Sequence, residues 1–280
     1  MPREDRLSRR EFVKAAIVAY CSLAGLGLRL RPAYIETRQT TIGWSQGGRP
    51  LIIYRHGNGP MNLFILGGQH GAPEANTTEL ARMLRSYLLR NPEEIPPNVT
   101  VYVMPEGNPD GLATGSRQYM SGVDPNRNWA NPDWQSNAYD SNGQYSLGLG
   151  GPAPFSEPET VALGNWLRAV HPHFTINYHS AGGFMFGGGE ALAGELAGLY
   201  SQASGYPRPT AGGGGGSPSG GSRLGYRVTG HLNGWQRTLG MGGCLVELTS
   251  PYDPEYHRNL AGIQAVIARL GMEADPKPTN

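Results

Sequence analysis

Asn62-Leu63-Phe64-Ile65-Leu66-Gly67-Gly68-Gln69-His70-Gly71-Ala72-Pro73-Glu74 runs from a short apolar segment into an imidazole and a carboxylate. The apolar segment, bounded by Gly and Pro, reads as a strand. Beyond it, from Glu74 to Leu89, Leu80, Met83, Leu84, Tyr87 and Leu88 recur at helical spacing. The stretch is therefore a strand that hands over to a helix, with reactive side chains at the junction.

The same alternation continues on both sides. Residues 51–54, 99–104, 174–178 and 245–248 read as strands. Residues 157–170, 191–203 and 259–270 read as helices, the first with Ser156 at its cap and Glu159 in its first turn. This order implies an α/β fold: a mixed, largely parallel twisted sheet with helices on both faces. In such sheets ligand groups gather at strand ends, and His70 and His179 both fall there. Two glycine-rich stretches, 182–189 around Phe184-Met185-Phe186 and 211–222, have neither the lysine nor the spacing of a phosphate-cradling loop. The second reads as a flexible surface loop, or as a lid beside a cleft.

The chain has 280 residues, with 23 Lys+Arg, 22 Asp+Glu and a formal net charge of +1. That balance excludes a binder that works by neutralising nucleic-acid phosphates. Hydrophobic residues make up 38%, too many for a wholly disordered chain at so low a net charge. The first thirty residues read as an address. Arg9-Arg10 stands before an apolar run from Ala15 to Leu28, the pattern of a twin-arginine export signal. Residues 1–31 are expected to form that signal segment, and residues 32–280 a single catalytic domain. With 1–31 removed, 16 basic and 19 acidic groups remain, net −3. Cys21 goes with the signal. Cys244, in an apolar run, reads as an inert core residue.

Chemistry gathers in four segments. They are Gly67 to Glu74; Asn108-Pro109-Asp110-Gly111 with Arg117 and Gly122-Val123-Asp124-Pro125-Asn126-Arg127-Asn128-Trp129; Asn177-Tyr178-His179-Ser180; and Leu245-Val246-Glu247-Leu248. His70, Glu74 and His179 are the ligand types of a catalytic zinc, which takes three and leaves a fourth position open. Glu247, inside an apolar run, suits a general base. Arg117 and Arg127 supply fixed positive charge, for an oxyanion or for a bidentate grip on a carboxylate. Each residue has a bland alternative. A histidine at a strand end is often structural, Arg127 could tie down a loop, and Glu247 could pair with a core arginine.

Taken together, these segments resemble the M14 zinc carboxypeptidase family, of the compact bacterial type. The Gly-Val-Asp-x-Asn-Arg-Asn-Trp run and Asn-Pro-Asp-Gly carry the resemblance. So do Gly151 to Thr160, His179-Ser180, Tyr226-Arg227-Val228-Thr229-Gly230 with Trp235, and Glu247. The resemblance runs from about Ile42 to Leu270. It implies Zn2+ held by His70, Glu74 and His179, with Asp124 orienting a ligand imidazole. It implies Glu247 as base, Arg117 as oxyanion stabiliser, Asn126 and Arg127 as clamps for a terminal carboxylate, and Tyr226 closing over the substrate.

One departure stands out: the family's His-x-x-Glu is here His70-Gly71-Ala72-Pro73-Glu74, one residue longer. Gly71 is expected to permit an unusual turn, the helix to begin near Pro73, and Glu74 to lie in its first turn. Ligand atoms of the three residues should then converge within about 4–5 Å. The implied activity is that of an exported zinc metallopeptidase, periplasmic or extracellular, that removes C-terminal residues from peptides by a zinc-activated water and a glutamate base. It is expected to be a monomer with a peptide substrate, no nucleic acid and no membrane domain after signal removal. Alternatives are an amidase acting on cell-wall peptides, and a catalytically weak homologue that binds peptide ends. Alignment from Tyr226 puts Asn233 near the floor of the family's specificity pocket, where a polar group disfavours a large aromatic side chain.

Overall fold

The computed structural model describes residues 38–188, 191–209 and 226–273. The twin-arginine segment, Cys21, Gly189 and the 211–222 stretch lie outside these. Among the described residues, no helix is long and apolar enough to cross a membrane.

The stretch from Asn62 to Glu74 folds as its sequence suggests. Met61–Leu66 forms strand β3 and Ala75–Arg90 forms helix α1. Side chains alternate across a strand, and here both faces are buried. Leu63 and Ile65 enter one core, while Phe64 and Leu66 enter another on the opposite face. Around β3 lie β1 (Arg38–Trp44), β2 (Pro50–Gly57), β4 (Val99–Met104), β7 (Phe174–Ser180), β8 (Phe184–Gly188) and β9 (Gly242–Leu248). They form a seven-stranded sheet in the order β1-β2-β4-β3-β7-β9-β8. The β4-β3, β3-β7 and β7-β9 pairs are parallel. The outer pairs, β1-β2, β2-β4 and β8-β9, are antiparallel. The sheet is thus mixed, with its parallel part confined to the four central strands.

Helix α1 covers the first face with α4 (Ala191–Ser204) and α6 (Tyr256–Leu270). The second face is covered by α3 (Pro158–Val170), α5 (Leu232–Thr238) and Trp129. A short helix α2 (Pro109–Thr114) and a small hairpin, β5 (Ala138–Tyr139) and β6 (Tyr145–Ser146), lie outside the main sheet.

Alternation on β7 decides where polar chemistry goes. Phe174, Ile176 and Tyr178 enter the first core. Thr175, Asn177 and His179 are equally buried but polar, and they share the second face. The parallel β7-β9 register sets Glu247 opposite His179, on that same face.

Several elements depart from the sequence reading. β1 is almost wholly exposed, so it carries no apolar alternation to detect. β8 occupies the first glycine-rich stretch and buries Phe184 and Met185. Helices α2 and α5 are too short for periodicity, and their signals are caps. Asn108 Oδ1 accepts from Gly111 N–H at 2.9 Å, and His231 Nδ1 accepts from Gly234 N–H at 3.0 Å. Ser156 is not the cap of α3. Glu157 holds that position, and the Ser156 hydroxyl donates to Glu157 Oε1 at 2.8 Å.

Candidate active site

His70, Glu74 and His179 offer ligand atoms that all lie within 4.8 Å of one another. His70 Nδ1 is 3.1 Å from Glu74 Oε1, and His179 Nδ1 is 3.1 Å from Glu74 Oε2. The extra residue between His70 and Glu74 is taken up in the turn before α1. That turn differs from expectation in two ways. Gly71 does not adopt a positive φ; it is needed for close approach, since a Cβ there would lie 2.1 Å from the Ser116 carbonyl oxygen. Helix α1 starts at Ala75, so Glu74 is its cap residue and Pro73 precedes it.

The protons around this cluster can be assigned. His70 Nε2 is 2.9 Å from Asp124 Oδ1, and a carboxylate only accepts, so the ring N–H is at Nε2. His70 Nδ1 is then a bare lone pair, and it has no hydrogen-bond partner although buried. His179 Nε2 is 3.0 Å from Gln69 Oε1 and 3.1 Å from Asn177 Nδ2. Asn177 Nδ2 makes its shorter bond, 2.7 Å, to that same Gln69 oxygen, so the acceptor facing the ring is Oε1, which places the N–H at Nε2 and leaves Nδ1 bare as well. Three lone-pair groups, two imidazoles and a carboxylate, therefore face one another with no hydrogen of their own between them. The Arg117 guanidinium and the Ser180 N–H reach the Glu74 carboxylate, but His70 Nδ1 is left without a donor, and two nitrogens plus a carboxylate form a donor set that suits zinc.

The electrostatics agree. Burial and the Arg117 charge push His70 down to about 4. Burial and the neighbouring His70 push His179 well below the usual histidine range. Both rings stay neutral, as ligands must. Burial alone would raise Asp124, but His70, Arg127 and Arg117 together hold it well below the usual carboxylate range.

Arg117 comes to the cluster's edge. Its guanidinium pairs with Glu74, and its Nε lies 3.4 Å from Asp124 Oδ2. The Asn-Pro-Asp-Gly motif builds this corner. Asn108 caps α2 and donates through Nδ2 to the carbonyls of Arg117, at 3.3 Å, and Gln118, at 2.9 Å. Asp110 instead gathers Ser45, Gly47 and Arg49.

The Asp124 to Trp129 run divides its labour residue by residue. Asp124 holds His70. Pro125 offers its carbonyl to Gln69 and to the Trp129 indole. Asn126 Oδ1 accepts from Leu232 N–H at 3.0 Å. Arg127 donates to the Tyr139 carbonyl from Nε and Nη2, and to the Asn126 carbonyl from Nη1. This leaves one further N–H on each terminal nitrogen. Asn128 ties down the carbonyls of Gly150 and Ala153. Trp129 packs between Phe155 and Trp235.

Two further candidates complete the set. Glu247 is half-buried opposite His179, and loss of solvation pushes its carboxyl up to about 7, with Arg117 and His70 pulling it partly back. Tyr226 is half-buried over Gly143 of the β5-β6 turn, its ring 3.6 Å from where a Cβ on that glycine would lie. Burial raises its hydroxyl above the usual value, offset in part by Arg127 and Arg117. Sequence reasoning gave no role to Gln69 or Asn177, which surround His179. Their one signal was amide side chains placed beside or two residues from the histidines.

The M14 family model, described as zinc carboxypeptidase, matches residues 34–189, more than half of the chain. The chain belongs to the M14 zinc carboxypeptidase family. Carboxypeptidase B of Astacus astacus is 32% identical over 138 residues, 42% of this chain and 45% of that protein. Murein peptide amidase A of Escherichia coli K12 is 31% identical over 121 residues, 41% of this chain and 47% of that protein. The chain thus spans less than half the length of these sequence relatives. The crystal structure of a murein-tripeptide amidase from Escherichia coli O157 matches with a TM-score of 0.64 at 23% identity, over 88% of this chain and 97% of that one. At that identity the likeness speaks for the fold, and it agrees with the mixed α/β architecture.

The raised Glu247 carboxyl has a consequence for the metal-free protein. Its folded value of about 7 lies above the ordinary 4.5, so between these pH values the folded state holds a proton that the unfolded chain has released. Stability from this group is full below about pH 4.5 and falls as pH rises through about 7. Urea unfolding in chelator should show that decline, and Glu247→Gln should flatten it. An identical pH slope in the two proteins would place the carboxylate in water.

Proposed function

We propose that the chain is a zinc-dependent hydrolase that cleaves an amide bond next to a residue bearing a free carboxylate. The observation that carries this reading is the set of three facing lone-pair groups, with Glu247 and Arg127 on the same side of the sheet. His70 Nδ1, the Glu74 carboxylate and His179 Nδ1 would hold the ion. Bound there, zinc supplies a Lewis acid that polarises the scissile carbonyl and makes water acidic.

The protein's own groups do the rest. Glu247, with a carboxyl poised near neutrality, takes the proton of the attacking water and returns it to the departing nitrogen. Arg117 contributes fixed positive charge beside the oxygen on which negative charge develops. Arg127, braced by the Tyr139 and Asn126 carbonyls, keeps N–H groups free for a carboxylate, and Asn126 keeps its amide nitrogen. Tyr226 closes the substrate in over the hairpin turn. Retention of Glu247 beside the cluster weighs against the peptide-end binder, which needs no base.

The M14 relatives include both carboxypeptidases and murein amidases, and either reaction fits this machinery. Peptide C-terminal hydrolysis is the main reading. A cell-wall peptide is the second, supported by the 31% identity with murein peptide amidase A over 121 residues. Export would bring the enzyme to that substrate. It rests on Arg9-Arg10 and the apolar run behind them, and secretion that survives Arg9→Lys/Arg10→Lys would remove it.

Asn233 supports a polar preference. Its Oδ1 and Nδ2 are both buried without a partner, as is Gln236 Oε1 one turn along α5. An apolar side chain docked there would leave these groups unmet.

Three measurements test the reading. Glu247→Gln should bind zinc normally and lose several orders of magnitude in kcat, because a carboxamide accepts no proton. In the same assay, Arg127→Lys should weaken free-acid substrates and leave the poor turnover of C-terminal amides unchanged. Amides cleaved as well as acids by the wild type would refute the clamp. On side chains, substrates that both donate and accept hydrogen bonds should be favoured over leucine by about tenfold or more. Asn233→Leu should abolish that preference; a wild type that prefers leucine or phenylalanine would rule out the polar floor.

A further inference from the structure

Gln69 lies between the two halves of the site and is 2% exposed. Its Nε2 donates to the Pro125 carbonyl at 3.1 Å. A carbonyl oxygen accepts only, so this bond fixes which end of the amide is which. Oε1 must then face the other way, where it meets His179 Nε2 at 3.0 Å and Asn177 Nδ2 at 2.7 Å. Asn177 Nδ2 is also 3.1 Å from His179 Nε2, but its shorter bond is to Oε1, and the two donors then share that one oxygen. The contact with His179 is attractive only if that ring nitrogen carries the hydrogen. A neutral imidazole has one N–H, so Nδ1 is left bare toward Glu74.

Without this amide the balance would reverse. His179 Nδ1 sits 3.1 Å from Glu74 Oε2, and an N–H there would find a carboxylate acceptor. That alternative ring form is intrinsically attractive and would remove His179 from the ligand set. Asp124 prevents the same outcome at His70 by a carboxylate. At His179 the structure uses an amide whose direction is imposed from a backbone carbonyl one residue beyond Asp124.

We propose that Gln69 is a positioning residue: oriented by the Pro125 carbonyl, it holds His179 in its Nε2–H form and so makes Nδ1 a metal ligand. The inference rests on the metal-site reading above, but its first test needs no metal. Partners of a ligand imidazole typically change metal affinity by about 10–100-fold when removed.

The experiment uses the mature protein labelled with 15N-histidine and freed of metal. Long-range 1H–15N spectra report which ring nitrogen is protonated. The wild type should show His179 with its hydrogen on Nε2. Gln69→Leu, similar in size and lacking an acceptor, should shift the ring toward the Nδ1–H form and weaken Zn2+ binding about 10–100-fold. Asn177→Ala serves as the control in the same cluster. It leaves Oε1 in place, so the ring form should stay as in the wild type. An Nδ1–H ring in the wild type would overturn the proposal even if no variant folds. So would a Gln69→Leu protein with an unchanged ring form, or an Asn177→Ala protein that shifts as much. A wild type with the Nε2–H ring that fails to bind Zn2+ would support the relay and defeat the metal reading.

Discussion

Mutual repulsion among three buried acceptors is the constraint around which this protein is arranged. His70 Nδ1, Glu74 and His179 Nδ1 are held together while each outward-facing ring nitrogen is tied to an acceptor. A fold gains nothing by itself from burying His70 Nδ1 without a donor, which costs about 1–3 kcal/mol, although Arg117 and Ser180 compensate the Glu74 carboxylate. The arrangement persists because the surroundings over-determine it. A cation returns the cost when bound, which links metal binding to folding.

The sheet supplies the rigidity. β3 and β7 are parallel neighbours buried on both faces; His179 stands on β7 itself, and His70 follows the end of β3 by four residues. Glu247 is registered to His179 through the same sheet. His70, Glu74 and Arg117 reach the centre from irregular backbone, and there tight packing replaces regularity. Gly71 lies against the Ser116 carbonyl, and Asn108 grips the carbonyl of Arg117.

The central strands, the major helices and the identity of the clustered residues were all legible in the sequence. They were so because fully buried strands and long amphipathic helices write their period plainly, as in β3 and α1. The exposed edge strand β1 and the seven-residue α5 write no such period. Glu74 was found by elimination, as the one acidic group near His70. Its place at the helix cap and the packing role of Gly71 depend on Ser116 and Gly111, more than thirty residues away. Gln69 illustrates a deeper limit. An amide can present either an oxygen or a nitrogen to a neighbour, and its direction here is set by a carbonyl 56 positions along the chain.

That carbonyl belongs to the segment in which the separate demands of the site converge. Asp124 fixes one ligand ring, and Pro125, through Gln69, bears on the other. Asn126 and Arg127 are the proposed clamp for a substrate carboxylate, and Trp129 locks the segment into the second core. A side chain in this run therefore cannot be altered for one purpose alone. Moving Arg127 to suit a different substrate moves the backbone that carries Asp124 and the Pro125 carbonyl, and with it the direction of two lone pairs. Substrate range is more freely adjusted elsewhere. Asn233 on α5 has buried amide atoms without partners and no bond to the ligand cluster, so in the proposed reading it can change substrate preference while the ligand geometry stays as it is.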